Sequence, residues 1–340
     1  MSRVAAAFWN PIVAKEYRSR MRTWRSPLAM MVYVVLIAGL GYAMFSSMAR
    51  SNSGFAGSVP NYGQTLFKYL VVFQMVLITL VTPALTAGAI SSERERQTID
   101  LLFVTRIPPF SIIWGKLLAS MSFVVLLLLL SVPIFSLVFL FGGIELDQVL
   151  YSFLVTIVAA LALGLIGIAF STWLRRTLAA TVASYMAAFL LVFGTVAFGM
   201  IFPTKIDPKS TSAPAPPAVT YLSPIVPLVA IADNGQPLVP YLIRYDYPNG
   251  IVAIQGGSVC KPLGNGAVAC SSSSGAVYSQ VVGATGTAIP SGPFAKWQYW
   301  QATVFLQLAI GLFALLVSAF LLPPVRRWPW WRSRPPTLTP

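Results

Sequence analysis

The stretch "SSERERQTIDLLFVTRIPPF", residues 91–110, separates two apolar runs at 66–90 and 111–141. Each run is long enough to cross a bilayer, for which a helix needs about 20 apolar residues. Only 9% of the 340 residues are charged and 56% are hydrophobic, whereas a soluble domain carries about 25% charged residues. The stretch is therefore a short polar connection inside a polytopic membrane protein.

Four more runs of spanning length complete the pattern. They lie at 27–48, 149–174, 178–202 and 297–322. We therefore predict an all-α polytopic membrane protein with six transmembrane helices, spans 1 to 5 within 27–202 and span 6 within 297–323. A basic tail follows at 324–340.

The distribution of basic residues predicts the orientation of the spans. Of the 23 Lys and Arg residues, 16 lie on one side: six precede span 1, four lie in or just after 91–110, two separate spans 4 and 5, and four lie in the tail. Short cytoplasmic loops are enriched in Lys and Arg. We therefore expect this side, and both termini, to face the cytoplasm at the plasma membrane. The net charge of +14 then reflects orientation and not nucleic-acid binding.

Residues 1–26 predict an interfacial helix on the cytoplasmic membrane surface. Asn10 and Pro11 suit the N-cap and the first helical position. At about 100° per residue, an apolar face lies opposite a basic face that would contact anionic headgroups. The interface residues are Lys15, Glu16, Arg18, Arg22, Trp24 and Arg25. The alternative is a segment that only fixes topology. Because the segment lacks a signal-peptide pattern, we expect span 1 to stay as an anchor.

The stretch 91–110 predicts a short charged helix. Ser92 and Glu95 have the spacing of a capping box, and the prolines at 108 and 109 would end the helix. An apolar face is formed by Ile99, Leu102 and Phe103. A loop that only fixes orientation needs arginines but no acids, so the mixed charge favours a docking surface, with a plain topology signal as the alternative. The charged residues are Glu93, Arg94, Glu95, Arg96, Asp100 and Arg106.

Residues 90–120 resemble the intracellular loop of the membrane subunits of type-2 ABC exporters. The matching features are the charged cluster at 93–96, Thr98, Leu101 and Leu102, Pro108, and the Gly-Lys-Leu at 115–117. Gln97 stands where the family pattern has glycine. The amphipathic N-terminal segment and the six-span plan also match the family.

The resemblance implies that the six charged residues belong to a coupling helix that inserts into a groove of a separate cytosolic ATPase subunit. ATP and Mg²⁺ would be bound by that subunit. No G-x-x-x-x-G-K-[ST] motif occurs in this sequence, so we expect no cofactor and no ATP hydrolysis in this chain.

Other chemistry is disfavoured by what the spans lack. The sequence contains no histidine, which removes the commonest metal ligand and the usual proton shuttle. The middles of the predicted spans carry no acid, which weighs against ion-coupled transport. We therefore predict no catalytic residue and no metal site. Small residues in span 4 predict close helix packing, or alternatively a lining for a substrate path: Ala159, Ala160, Ala162, Gly164, Gly167 and Ala169.

The segment 203–296 predicts an extracellular insertion between spans 5 and 6. Its apolar part, 219–233, is expected to rest on the outer membrane surface, and 241–290 reads as a small β-rich cap of short strands and turns. The two cysteines, Cys260 and Cys270, both lie in this cap. Outside the cytosol, a disulfide is the expected outcome for such a pair.

Together these features predict the permease subunit of an ABC exporter, which pairs with a second copy or a sister permease. The alternative function is a membrane scaffold or assembly protein that uses the same ATPase without moving a solute. An intramembrane enzyme is the weakest hypothesis, because the chain lacks histidine and buried acids.

Overall fold

A computed structural model describes part of the chain. The described residues are 24–51, 62–95, 109–174, 176–202, 204–206, 218–232, 243–245, 253–254, 258–263, 267–272 and 297–321. The predicted interfacial helix before residue 24, residues 96–108 of the coupling stretch and the basic tail lie outside the described residues.

The described residues contain six helices that are long and apolar enough to cross a membrane. Spans 1 to 6 are Arg25–Ser51, Tyr62–Thr86, Pro109–Phe139, Leu146–Trp173, Thr177–Ile201 and Tyr299–Leu321. Each lies within a few residues of a run predicted from sequence. The prediction of a mostly helical, multi-pass membrane protein is therefore confirmed.

Spans 2 and 4 form the centre of the bundle, and spans 1 and 5 are the most exposed. The core includes Phe67 of span 2 and Phe135 of span 3, whose rings meet edge to face at 5.9 Å. Phe153 of span 4 meets Phe135 in the same way at 5.4 Å. Aromatic edge-to-face contacts of this kind fix the relative rotation of neighbouring helices. The exposed apolar side chains of the outer spans suit contact with lipid or with another membrane subunit.

Small residues bring spans 2 and 4 into close contact. A Cβ added to Gly167 would overlap the hydroxyl of Thr86 in span 2. One added to Gly164 would meet Met121 and Leu117 of span 3 and Thr82 of span 2. The expectation that small residues serve close packing in span 4 is therefore confirmed.

Span 5 is not a continuous α-helix. It runs as α-helix over Thr177–Phe189, as one π turn over Leu190–Gly194, and as α-helix again over Thr195–Ile201. At the end of the turn, the Thr195 N–H donates to the Leu190 carbonyl. Such π turns insert one residue into a helix and commonly mark functional positions.

The apolar segment after span 5 packs inside the bundle. A 3₁₀ turn, Ala218–Leu222, leads into a helix, Ile225–Ala232, named here the inserted helix. All eight of its residues are buried, and it packs against spans 2, 4 and 6. The expectation that this segment rests on the membrane surface is wrong, because its uniformly apolar sides are covered by protein on all faces.

Five short strands occur in the described parts of 203–296. Strands β1 (Thr204–Ile206) and β2 (Ile243–Tyr245) pair in parallel. An antiparallel sheet contains β3 (Ala253–Ile254), β4 (Ser258–Leu263) and β5 (Ala267–Ser272). Cys260 and Cys270 are backbone partners in the β4–β5 pair. Much of the segment lies outside the described residues, so the cap as a packed unit stays a prediction.

Candidate coupling site

The structure describes half of the predicted coupling residues. Glu93, Arg94 and Glu95 lie on a short helix, Ser91–Glu95, named here the loop helix. Arg96, Asp100 and Arg106 lie outside the described residues, as do Lys15, Glu16, Arg18 and Arg22 of the predicted interfacial helix. Trp24 immediately precedes span 1 and is 81% exposed, and Arg25 begins span 1.

A buried serine of span 4 fixes the loop helix to the bundle. Span 2 ends at Thr86, and a turn at 87–90 leads into the loop helix. The N–H groups of Ile90 and Ser91 both donate to Ser171 Oγ, at 2.9 and 3.0 Å. Ser171 is fully buried. Its hydroxyl thus satisfies two backbone donors at a helix start, which would otherwise be costly to bury.

The predicted capping box does not form. Ser92 lies inside the loop helix, and its hydroxyl donates back to the Gly88 carbonyl. The Glu95 carboxylate accepts hydrogen bonds from Thr177 instead. Both residues thus have the right spacing for a box but use other partners.

Glu93 joins the loop helix to span 3. Its carboxylate is 2.9 Å from Lys116 Nζ. The Lys116 side chain is only 6% exposed, compared with 29% for Glu93. Because a buried ammonium is costly without an opposite charge, this contact ties the loop helix to the Gly-Lys-Leu at the start of span 3.

Arg94 joins the loop helix to span 4. Its Nη1 donates to the Thr172 carbonyl at 2.9 Å. Thr172 lies in the last turn of span 4, which ends at Trp173. Carbonyls at a helix C-terminus lack intrahelical partners and carry partial negative charge, so a guanidinium is favourable there.

Glu95 joins the loop helix to span 5. Its carboxylate accepts from the Thr177 N–H at 2.7 Å and from Thr177 Oγ1 at 2.9 and 3.1 Å. The N-cap residue of span 5 itself, Arg176, makes no side-chain capping bond. Glu95 therefore caps a helix that begins 82 positions later in the chain.

The same contacts lower the pKa of the Glu95 carboxyl. The bond from the Thr177 N–H is the largest cause, followed by the Thr177 hydroxyl, and the charge of Arg176 acts in the same direction against partial desolvation. Span 2 ends at Thr86 and a turn at 87–90 separates it from the loop helix, so Glu95 lies outside the spans.

The described charges of the loop are thus directed toward the bundle. We name the set Glu93, Arg94, Glu95, Lys116, Ser171, Thr172 and Thr177 the loop junction. One feature of the sequence indicates this junction: the residue before span 5 is Arg176, which has no side-chain acceptor to cap the helix. The described ranges contain no cluster of three or more His, Cys, Asp or Glu that could hold a metal ion.

Comparison with known proteins identifies the family. A family model described as "ABC-2 family transporter protein" matches residues 44–243, which is 200 of the 340 residues. The match runs from the end of span 1 through span 5 and the inserted helix, and it includes the loop helix. No curated protein matches the chain. The chain therefore belongs to the ABC-2 transporter family and is a type-2 ABC permease, a multi-pass membrane subunit of a family that is not itself an ATPase.

Proposed function

We propose that this permease belongs to an exporter and is driven by a separate cytosolic ATPase subunit that binds residues 91–110. The observation that carries the proposal is the loop junction. The loop helix is attached by side-chain contacts to spans 3, 4 and 5. A displacement of the loop by a partner would therefore displace three spans together and not bend a loose connection.

The two halves of the stretch have different roles in this proposal. Glu93, Arg94 and Glu95 attach the stretch to the bundle, through the contacts given above. Arg96, Asp100 and Arg106 provide the charges for the ATPase groove. The apolar face that follows residue 98 would pack in that groove, as amphipathic helices do in peptide-binding grooves.

The proposal requires the loop junction to be cytoplasmic. The bias of 16 among 23 basic residues supports that orientation. It can be checked with single cysteines in a background that lacks Cys260 and Cys270. A cysteine at Ser92 should resist an impermeant thiol reagent in intact cells, and one at Ser273 should react. The reverse labelling would overturn the orientation and the proposed partner.

Two permeases would form the transport pathway together, either two copies of this chain or this chain and a sister. Spans 1 and 5 leave large apolar side chains uncovered, among them Met31, Val35, Met186 and Phe189. A second permease and lipid would share these surfaces. The N-terminal segment would lie on anionic headgroups beside span 1.

The test is the association of the ATPase with the permease. We expect an ABC ATPase to co-purify with the tagged wild-type permease and to be lost from Arg96→Ala/Arg106→Ala. Arg50→Ala is the matched control, because Arg50 is exposed and lies in the last turn of span 1, at the end away from the proposed cytoplasmic side. Normal recovery of the ATPase with the double variant would refute the docking role. If the recovered complex of permease and ATPase hydrolyses ATP in vesicles but moves no solute, the scaffold function is favoured.

A further inference from the structure

Span 5 contacts two segments that lie far apart in the chain. Its first residue, Thr177, is bound by Glu95 of the loop helix. Its π turn is bound by Ser223, which lies two residues before the inserted helix: Ser223 Oγ donates to the Val192 carbonyl at 3.0 Å. The 13 residues of Thr177–Phe189 that separate these contacts form about 20 Å of α-helix.

Ser223 has a double role in its contact. While its hydroxyl donates to Val192, its oxygen accepts from the Ile225 N–H at 3.2 Å, at the start of the inserted helix. Ser223 and the Val192 side chain are both fully buried. A π turn displaces backbone carbonyls from the regular ladder, and a buried carbonyl needs a donor. The position of the inserted helix is thus fixed to the one irregular turn of span 5.

The helix between the two contacts packs on the bundle through one face of small side chains, Ala180, Ser184 and Ala188, which are buried. Leu178, Val182, Met186 and Phe189 are each more than half exposed. Tyr185 makes a further contact, donating from its hydroxyl to the Leu80 carbonyl of span 2 at 2.9 Å. A helix whose buried face has only small side chains, and whose bulky side chains are exposed, can shift as one piece with little repacking. The interlocked contact of Gly167 with Thr86, by comparison, opposes sliding between spans 2 and 4.

We propose that span 5 couples the position of the loop helix to that of the inserted helix, with Glu95 and Ser223 as the positioning residues at its two contacts. This coupling rests on the proposed function, in which an ATPase partner moves the loop helix. Movement of the loop helix at one end of the bundle then reaches the inserted helix through span 5. The inserted helix packs against spans 2, 4 and 6, so its displacement changes the packing among these three spans.

The test is hydrogen exchange of the wild-type permease and its variants in lipid nanodiscs, with no ATPase present. Glu95→Ala removes the cap, and we expect several-fold faster amide exchange at 177–181 and also at Ile225–Ala232. Glu95→Gln should return both regions toward wild type, because its amide oxygen can still accept from the Thr177 N–H. Glu145→Ala is the matched control: Glu145 is the N-cap of span 4 at the opposite end of the bundle, with a capping box to Gln148.

Faster exchange at 177–181 with unchanged exchange at Ile225–Ala232 would overturn the proposal, as would an equal effect of Glu145→Ala on the inserted helix. Unchanged exchange at 177–181 would also overturn it, because Glu95 would then not hold span 5. None of these outcomes depends on ATPase binding. A permease that recruits no ATPase would therefore refute the proposed function, whereas the coupling through span 5 is decided by the hydrogen-exchange result alone.

Discussion

Gly167→Ala tests the close contact of spans 2 and 4 on which the fold is built. The added methyl would overlap Thr86 Oγ1 and lie 3.1 Å from Thr86 Cβ. Thr86 cannot turn away without cost, because its buried hydroxyl donates to the Thr82 carbonyl at 2.9 Å and would lose that bond. Overpacking of this kind costs about 1–3 kcal/mol, so we expect the free energy of unfolding to fall by that amount.

The assay is reversible unfolding in mixed micelles, followed by circular dichroism. Gly39→Ala is the control, because a Cβ at Gly39 in span 1 meets nothing within 4 Å; it should be neutral or slightly stabilising. Thr86→Ala makes room for the methyl, so the loss in the Gly167→Ala/Thr86→Ala double variant should be smaller than the sum of the two single losses. Additive losses, or a stability of Gly167→Ala equal to that of Gly39→Ala, would refute the packing argument.

Three further predictions concern the charges and the cysteines. Glu93→Ala should lower thermal stability because it removes the carboxylate from the buried Lys116 ammonium; adding Lys116→Met should restore it, and a double variant no more stable than Glu93→Ala would contradict this role. Cys260 and Cys270, which are backbone partners, should form a disulfide that stabilises the cap by about 2–3 kcal/mol; two alkylatable thiols in protein prepared without reductant would exclude it. The lowered pKa of Glu95 means that its cap is fully present above the ordinary carboxyl value of 4.5 and is lost as the pH falls through the lower folded-state pKa. The difference in melting temperature between wild type and Glu95→Gln should shrink over that acidic range, and a constant difference would contradict the assignment.

The six spans could be predicted because the thickness of the bilayer imposes a length on every apolar run. The inserted helix has the same apolar character but only eight residues, so hydropathy cannot tell whether protein or the membrane surface covers it. Its place is set by Ser223 and by Gln307 of span 6, whose Nε2 donates to the Leu222 carbonyl at 2.6 Å. Polar contacts of this kind join residues about 30 to 85 positions apart and leave no periodic signal in the sequence.

At the loop junction, too, the sequence predicts the segment but not the partners of its side chains. Mixed charge and the family resemblance predict a docking role for 91–110, and that role stays a prediction. The partners of the acids were not predictable, because Thr177 and Lys116 are brought to the loop only by the packing of spans 3 to 5. The capping-box prediction was wrong for this reason. The spacing of Ser92 and Glu95 favoured a bond within the loop, but the Glu95 carboxylate accepts from the uncapped N–H of Thr177 at the start of span 5.

The most direct test of the central claim is photocrosslinking from the coupling stretch. A benzoylphenylalanine at Phe103, on the predicted apolar face, should crosslink to the ATPase subunit in membranes. The same probe at Phe141, at the opposite end of span 3 and 43% exposed, should give no crosslink to it. A crosslink from Phe141 and none from Phe103 would contradict the claim that this stretch receives the ATPase.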